Sequence, residues 1–229
     1  LSRWLVISDL QIPFEARDSL KFCKSVQKEF KIPNENILCV GDETDQYFGG
    51  LWKKSADGWY TANQELDESR RRLRQWYRAF PLMRVAISNH GTRWARKASE
   101  AEIPSQLMRA YRDIIEAPPG WKWAEKHIIK AKYPFQIIHG LGYGGMYAYR
   151  HVPLDQGIST AFGHLHSNAG IAQVVTEGQK LWGMNTGCLI DNDAYAFEYG
   201  KYNRFKPWLG CGVVLDDGRW PILVPYEAL

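Results

Sequence analysis

Five apolar runs in this chain stop at residues able to hold a cation. Trp4-Leu5-Val6-Ile7 runs into Asp9, and Ile37-Leu38-Cys39-Val40 into Gly41-Asp42. Met83-Arg84-Val85-Ala86-Ile87 leads to Ser88-Asn89-His90, Phe135-Gln136-Ile137-Ile138 to His139, and Ser159-Thr160-Ala161-Phe162 to Gly163-His164-Leu165-His166. Each has an ordinary explanation alone, since an Asp at a strand end commonly caps the next helix and a single His is commonly a satisfied polar residue. Together they bring carboxylate, imidazole and a neutral amide oxygen to one edge of a fold. That donor mixture suits first-row divalent metals better than calcium or a thiolate zinc site. Two such ions roughly 3.5–4 Å apart clamp a phosphoryl group for in-line displacement, and one carboxylate must bridge them. Asp42 is assigned that place.

The elements that must position these residues read as an α/β fold. Short apolar runs bounded by turn residues describe strands buried on both faces, and ligands of open α/β sheets gather at the carboxyl ends of such strands. Between the first two strands, Leu20, Phe22, Cys23, Val26 and Phe30 define one apolar helical face that ends before Pro33. The resulting right-handed βαβ unit sets Asp9 beside Asp42. A helix is expected over Glu65–Phe80, with Asp67/Arg71 and Glu68/Arg72 as i, i+4 pairs, and another over Ser105–Ala117, stopped by Pro118-Pro119-Gly120. Residues 171–176 with 181–184, and 212–215 with 220–224, read as hairpins. Residues 46–62 lack a period and read as a loop, a candidate lid. The cluster Arg70-Arg71-Arg72-Arg74 is either a phosphate contact or a solvated helix face with its alternating acids. Gly140-x-Gly142-x-Gly144-Gly145 has neither phosphate-loop spacing and reads as a flexible loop.

The ordered set of motifs resembles the calcineurin-like metallophosphoesterases, whose pattern is Asp-x-His, Gly-Asp, Gly-Asn-His-Asp/Glu, a lone His and Gly-His-x-His. Here it stands as Asp9-x-Gln11, Gly41-Asp42, Ser88-Asn89-His90-Gly91, His139 and Gly163-His164-x-His166, across roughly residues 1 to 190. The resemblance implies a four-layer α/β/β/α sandwich, with Asp9, Asp42 and His166 on a first metal and Asp42, Asn89, His139 and His164 on a second. It also implies that His90 acts on the leaving group or the phosphoryl oxygens. The chain departs from the pattern at two places. Gln11 stands where an imidazole ligand is usual, which loosens the first site and shifts preference toward manganese or magnesium over zinc. Gly91 stands where a carboxylate usually supports the catalytic His, and Asp45 is either its replacement or a loop cap. Arg93 either reaches a substrate phosphate or faces solvent. The expected cofactors are two divalent ions, manganese first, with iron, zinc, magnesium or nickel as alternatives.

Composition bounds the rest. A chain of 229 residues with 45% hydrophobic and 24% charged residues fits one globular domain, 1–229. The absence of a membrane-length apolar run or leader pattern, and four scattered cysteines, Cys23, Cys39, Cys188 and Cys211, lead to a cytoplasmic expectation with reduced thiols. A net charge of +4, ten tryptophans and the basic residues of 70–96 favour a phosphodiester of nucleotide or nucleic-acid type. A phosphomonoester or phosphoprotein substrate, or a non-catalytic scaffold keeping the fold, are the alternatives.

Overall fold

The computed structural model describes residues 1–50, 60–191 and 204–228. Among the described residues, two mixed sheets and five α-helices make up an α/β architecture. The chain runs β1 (Trp4–Ile7), α1 (Ser19–Glu29), β2 (Ile37–Cys39), α2 (Ala62–Ala79), β3 (Met83–Ala86), α3 (Arg93–Glu100), α4 (Tyr111–Ile114), β4 (Trp121–Ala124), β5 (Lys126–Ile129) and β6 (Phe135–Ile138). It continues through α5 (Ala148–Gln156), β7 (Ser159–Phe162), β8 (Gly170–Val175), β9 (Lys180–Asn185), β10 (Gly210–Leu215) and β11 (Trp220–Pro225). The first sheet has the order β11-β10-β1-β2-β3-β4, parallel from β1 to β4; the second is β5-β6-β7-β9-β8, parallel from β6 through β7 to β9.

The unbroken apolar run of β1 is explained by burial on both faces. Successive strand residues point to opposite sides. Leu5 and Ile7 join a core with Phe22, Cys23 and Val26 of α1 and Leu73 and Trp76 of α2. Trp4 and Val6 join a second core with Phe135, Ile137, Ala161, Trp182 and Met184 of the other sheet. Leu38 and Cys39 divide in the same way. A third cluster sets Ala148 and Val152 of α5 against Ile138 and Phe162. Each fully buried aliphatic side chain contributes roughly 1.5–3 kcal/mol, so strands loaded on both faces hold the carboxyl-end loops at fixed positions. All four cysteines are buried free thiols, and burial pushes the Cys188 thiol up to about 12.

Several expected elements change. Helix α2 begins three residues before Glu65, because Thr61 and Gln64 form a reciprocal capping box: Gln64 N–H donates to Thr61 Oγ1 at 3.3 Å and Thr61 N–H to Gln64 Oε1 at 2.8 Å. The expected i, i+4 pairing is half replaced. Arg72 pairs with Glu68 as expected, whereas Arg71 also takes Glu68 and Asp67 meets Arg70. Arg70, Arg71, Arg72 and Arg74 are therefore engaged with acids, Glu15 and Glu116 included. The expected helix over 105–117 is broken. A 3-10 turn at Ser105–Leu107 and the single turn of α4 replace it, with Met108 and Ala110 extended between them. Leu107 is 75% exposed, so the first half of that segment has no surface to pack on, while Ile115 is buried in the main core. Strands β4 and β5 and helices α3 and α5 were not expected. The first two are too short and mixed to show a period, α3 buries only Ala98, and α5 carries Pro153 inside it. Most of the candidate lid, 51–59, lies outside the described residues; its beginning is a 3-10 turn at Tyr47–Gly49.

Candidate metal centre

The carboxyl ends of β1, β2, β3, β6 and β7 converge, and they bring the candidate ligands together. Two groups of donor atoms each lie within 4.8 Å of one another: Asp42 with His139 and His164, and Asp9 with Asp42 and His166. Asp42 belongs to both.

Local backbone geometry sets up this convergence. Gly41 has φ +105°, and a Cβ there would stand 2.7 Å from Ser88 Cβ and 2.8 Å from Ala86 O. Only glycine lets the strand turn so tightly against the neighbouring loop. Asp42 follows at φ 51°, and His164 and Gln11 also adopt left-handed backbone at φ 69° and 48°. Such conformations cost of order 1–3 kcal/mol each and gather at functional sites. Gly163 is equally constrained, since a Cβ on it would collide with Asp9 Oδ1.

The side chains are buried and orderly. Asp9 is fully buried; its Oδ2 accepts from the His164 backbone N–H at 2.9 Å and lies 3.0 Å from His166 Nε2. Its Oδ1 is buried with no hydrogen-bond partner. Asp42, 1% exposed, accepts the His90 backbone N–H at 3.1 Å, and its own N–H donates to Ser88 Oγ at 2.9 Å. Burial alone would raise its pKa, but the imidazoles of His139 and His90, with Ser88, hold it well below the usual carboxylate range. Burial, with His139 beside it, lowers the His164 pKa, favouring the neutral ring that a ligand must present.

His139 shows how such a ring is oriented. Its Nδ1 lies 3.0 Å from Val40 O, a carbonyl that can only accept, so the proton sits on Nδ1. The lone pair on Nε2 then points at Asn89 Oδ1, 2.6 Å away, and at Asp42 Oδ2, 3.4 Å away. Three electron-rich atoms facing one another, together with the unpartnered Asp9 Oδ1, form a donor set that fits a cation. The six residues Asp9, Asp42, Asn89, His139, His164 and His166 are the ones that would hold divalent ions.

His90 stands beside them, 3.8 Å from Asp42 Oδ2 through Nε2. Its Nδ1 is 2.7 Å from Asp45 Oδ1, a close contact out of line for a hydrogen bond. The structure thus sets Asp45 at Nδ1 of His90. Arg93 does not face solvent. Its Nη1 donates to Asp45 O at 2.8 Å and reaches Asp45 Oδ1 at 3.2 Å, and its Nη2 lies 2.6 Å from His90 Nε2. Because guanidinium can only donate, His90 Nε2 carries the lone pair and Nδ1 the proton. Gln11 is buried, and its amide nitrogen lies 3.3 Å from the same His90 Nε2.

Sequence reasoning passed over several residues that hold this arrangement. Ser88 Oγ accepts the N–H groups of both Asp42 and Gly91, locking the β2 and β3 loops together. Glu65 of α2 accepts the N–H groups of Tyr47 and Phe48, and Gln46 Oε1 accepts that of Trp94, which fixes the start of α3 and hence Arg93. Ser88 was visible as a hydroxyl adjoining Asn89-His90; Glu65 and Gln46 carried no signal beyond ordinary helix and loop composition. No protein-family model matches the chain, and no curated protein matches it in sequence. No helix among the described residues is long and apolar enough to cross a membrane.

Proposed function

We propose that the chain is a dinuclear metal-dependent phosphoesterase of the calcineurin-like type, its two sheets and flanking helices forming the four-layer α/β/β/α sandwich of that family. The observation carrying this reading is the sharing of Asp42 by two overlapping donor groups. When bound, two divalent ions would supply Lewis-acid stabilisation of the phosphoryl oxygens and activation of water. Asp9, Asp42 and His166 would hold one ion, and Asp42, Asn89, His139 and His164 the other.

The remaining residues manage charge and protons. Arg93 donates to His90 Nε2 in the resting arrangement, so His90 has no proton on that side to give. A phosphate oxygen is a stronger acceptor for the guanidinium fork than a neutral imidazole is. On substrate binding Arg93 turns to the phosphate while staying anchored on Asp45, and His90 Nε2 becomes accessible to the leaving oxygen. Once Arg93 has turned away, Nε2 takes a proton from solvent, Asp45 at Nδ1 stabilises the imidazolium so formed, and that Nε2 proton passes to the leaving oxygen. The preferred substrate is a phosphodiester of nucleotide or nucleic-acid type.

The test is metal-stripped protein titrated with manganese, magnesium or zinc, with elemental analysis of the bound metal and turnover of an aryl phosphodiester and an aryl phosphomonoester. Two ions per chain and diester turnover exceeding monoester turnover are expected. No metal uptake and no turnover with any divalent ion would overturn the reading.

A further inference from the structure

A pocket of about 420 Å³ lies behind the segment that carries Asn89 and His90, with Ser88 and Gly91 in its wall. This size is within the range of small-molecule sites. The side chains of Asn89 and His90 turn away from it, toward His139 and Asp45. Its remaining lining has three distinct parts: aromatic walls from Tyr111, Trp121 and Trp123, a carboxyl group from Glu43, and a rim containing Arg112 and Lys122.

Glu43 is the informative member. It is 1% exposed, and its Oε1 accepts the Trp123 indole N–H at 2.8 Å. The second oxygen, Oε2, is buried without a hydrogen-bond partner, and the Tyr111 hydroxyl near it lies 2.7 Å from Thr44 Oγ1. A buried carboxyl oxygen left unsatisfied is costly. A ligand carrying a polar edge into the pocket would relieve that cost.

The walls restrict its shape. Tyr111 and Trp123 meet nearly edge to face, with centroids 6.0 Å apart and planes at 84°, and Trp121 lies 6.0 Å from Trp123. The Glu43 bond fixes the Trp123 ring. Fixed aromatic surfaces of this kind favour a flat ring system. Arg112 and Lys122 are exposed, so the mouth of the pocket is cationic while its floor carries the acid.

We infer that this pocket binds a nucleotide, with the base laid against the half-buried Tyr111 and Trp123 rings and its hydrogen-bonding edge at Glu43 Oε2, and the phosphate at the Arg112 and Lys122 rim. A nucleobase edge sets an N–H beside a ring nitrogen or carbonyl, so it satisfies Oε2 whichever form the carboxyl takes. No anion alone would use the aromatic floor, and no neutral heterocycle alone would use the rim. The inference is independent of the phosphoesterase reading, and the site is separate from the metal centre.

The full chain is titrated calorimetrically in EDTA, which removes divalent ions from the first site, with AMP, GMP and CMP. Adenosine and inorganic phosphate are run as separate probes. Saturable binding of at least one nucleoside monophosphate is expected, tighter than inorganic phosphate by about tenfold or more, consistent with added ring and edge contacts. Glu43→Leu, which keeps the side-chain bulk and removes the polar edge, should weaken it by about tenfold or more. Arg112→Glu lies on the exposed rim and is tolerated by the fold. It should weaken the nucleotide while leaving adenosine affinity unchanged, and it carries the test if Glu43→Leu does not fold. Absence of saturable nucleotide binding in EDTA would overturn the inference. So would nucleotide affinity unchanged in the folded variants, or inorganic phosphate binding as tightly as the nucleotides.

Discussion

Replacing Asp42 by Asn tests the centre most directly. Asp42 and Asp9 are both buried, and their ligand oxygens lie within 4.8 Å of each other. Two unit charges at such a separation repel by roughly 3.5 kcal/mol at an effective dielectric constant of about 20. The imidazoles of His139 and His90 offset this only when protonated. A divalent cation converts the repulsion to attraction. In the wild type, a metal present at about a thousand times its dissociation constant stabilises the fold by roughly 4 kcal/mol. For a chain of this length that corresponds to a Tm rise on the order of 8–16 °C. Asn keeps the Oδ1 that accepts the His90 N–H and tolerates the φ of 51° at this position. Asp42→Asn is therefore expected to fold and to lose most of the metal-induced rise, and because the fold favours the ionised carboxylate it should melt below the wild type in EDTA. Thermal denaturation with and without manganese, paired with elemental analysis, gives the answer. An undiminished metal-induced rise in Asp42→Asn would refute the bridging role.

Four further outcomes follow from the structure. His90→Ala should leave metal uptake intact and lower turnover by roughly 10²–10⁴-fold, and Asp45→Asn should lower it less while altering the pH–rate profile; metal release by His90→Ala would move His90 into the ligand set. Gly41→Ala should destabilise the fold by roughly 1–3 kcal/mol in denaturant unfolding, since its φ is +105° and the added methyl meets Ser88 and Ala86; an unchanged midpoint would show that the turn relaxes freely. Glu68, hydrogen-bonded to Arg71 and Arg72, has its pKa lowered to about 2 from 4.5, so its contribution is fully present above about pH 4.5 and is lost as pH falls through 2. Because the pair is partly solvated, Glu68→Gln should cost only about 0.5–1 kcal/mol at pH 7, a difference that shrinks in acid; a difference that grows on acidification would contradict the linkage.

The chain by itself determined which residues end its buried strands. An apolar run followed by Asp9, Asp42, His139 or His164 is legible because a strand loaded on both faces leaves nowhere for its first polar residue except the sheet edge. The order of β1, α1, β2, α2 and β3 was legible for the same reason, as were the two hairpins. Tertiary structure alone decided the rest. That the segment before α4 breaks, that α3 forms with one buried side chain, and that Pro153 sits within α5 depend on what each segment packs against rather than on its periodicity. The tautomers of His139 and His90 depend on a carbonyl and a guanidinium 99 and three residues away in sequence. Asp45 and Arg93 were ambiguous as letters, each with an ordinary loop or surface reading. Their roles beside His90 appear only where the β2 loop, the 3-10 turn and α3 meet, because hydrogen-bond direction is a property of positions in space and not of spacing along the chain.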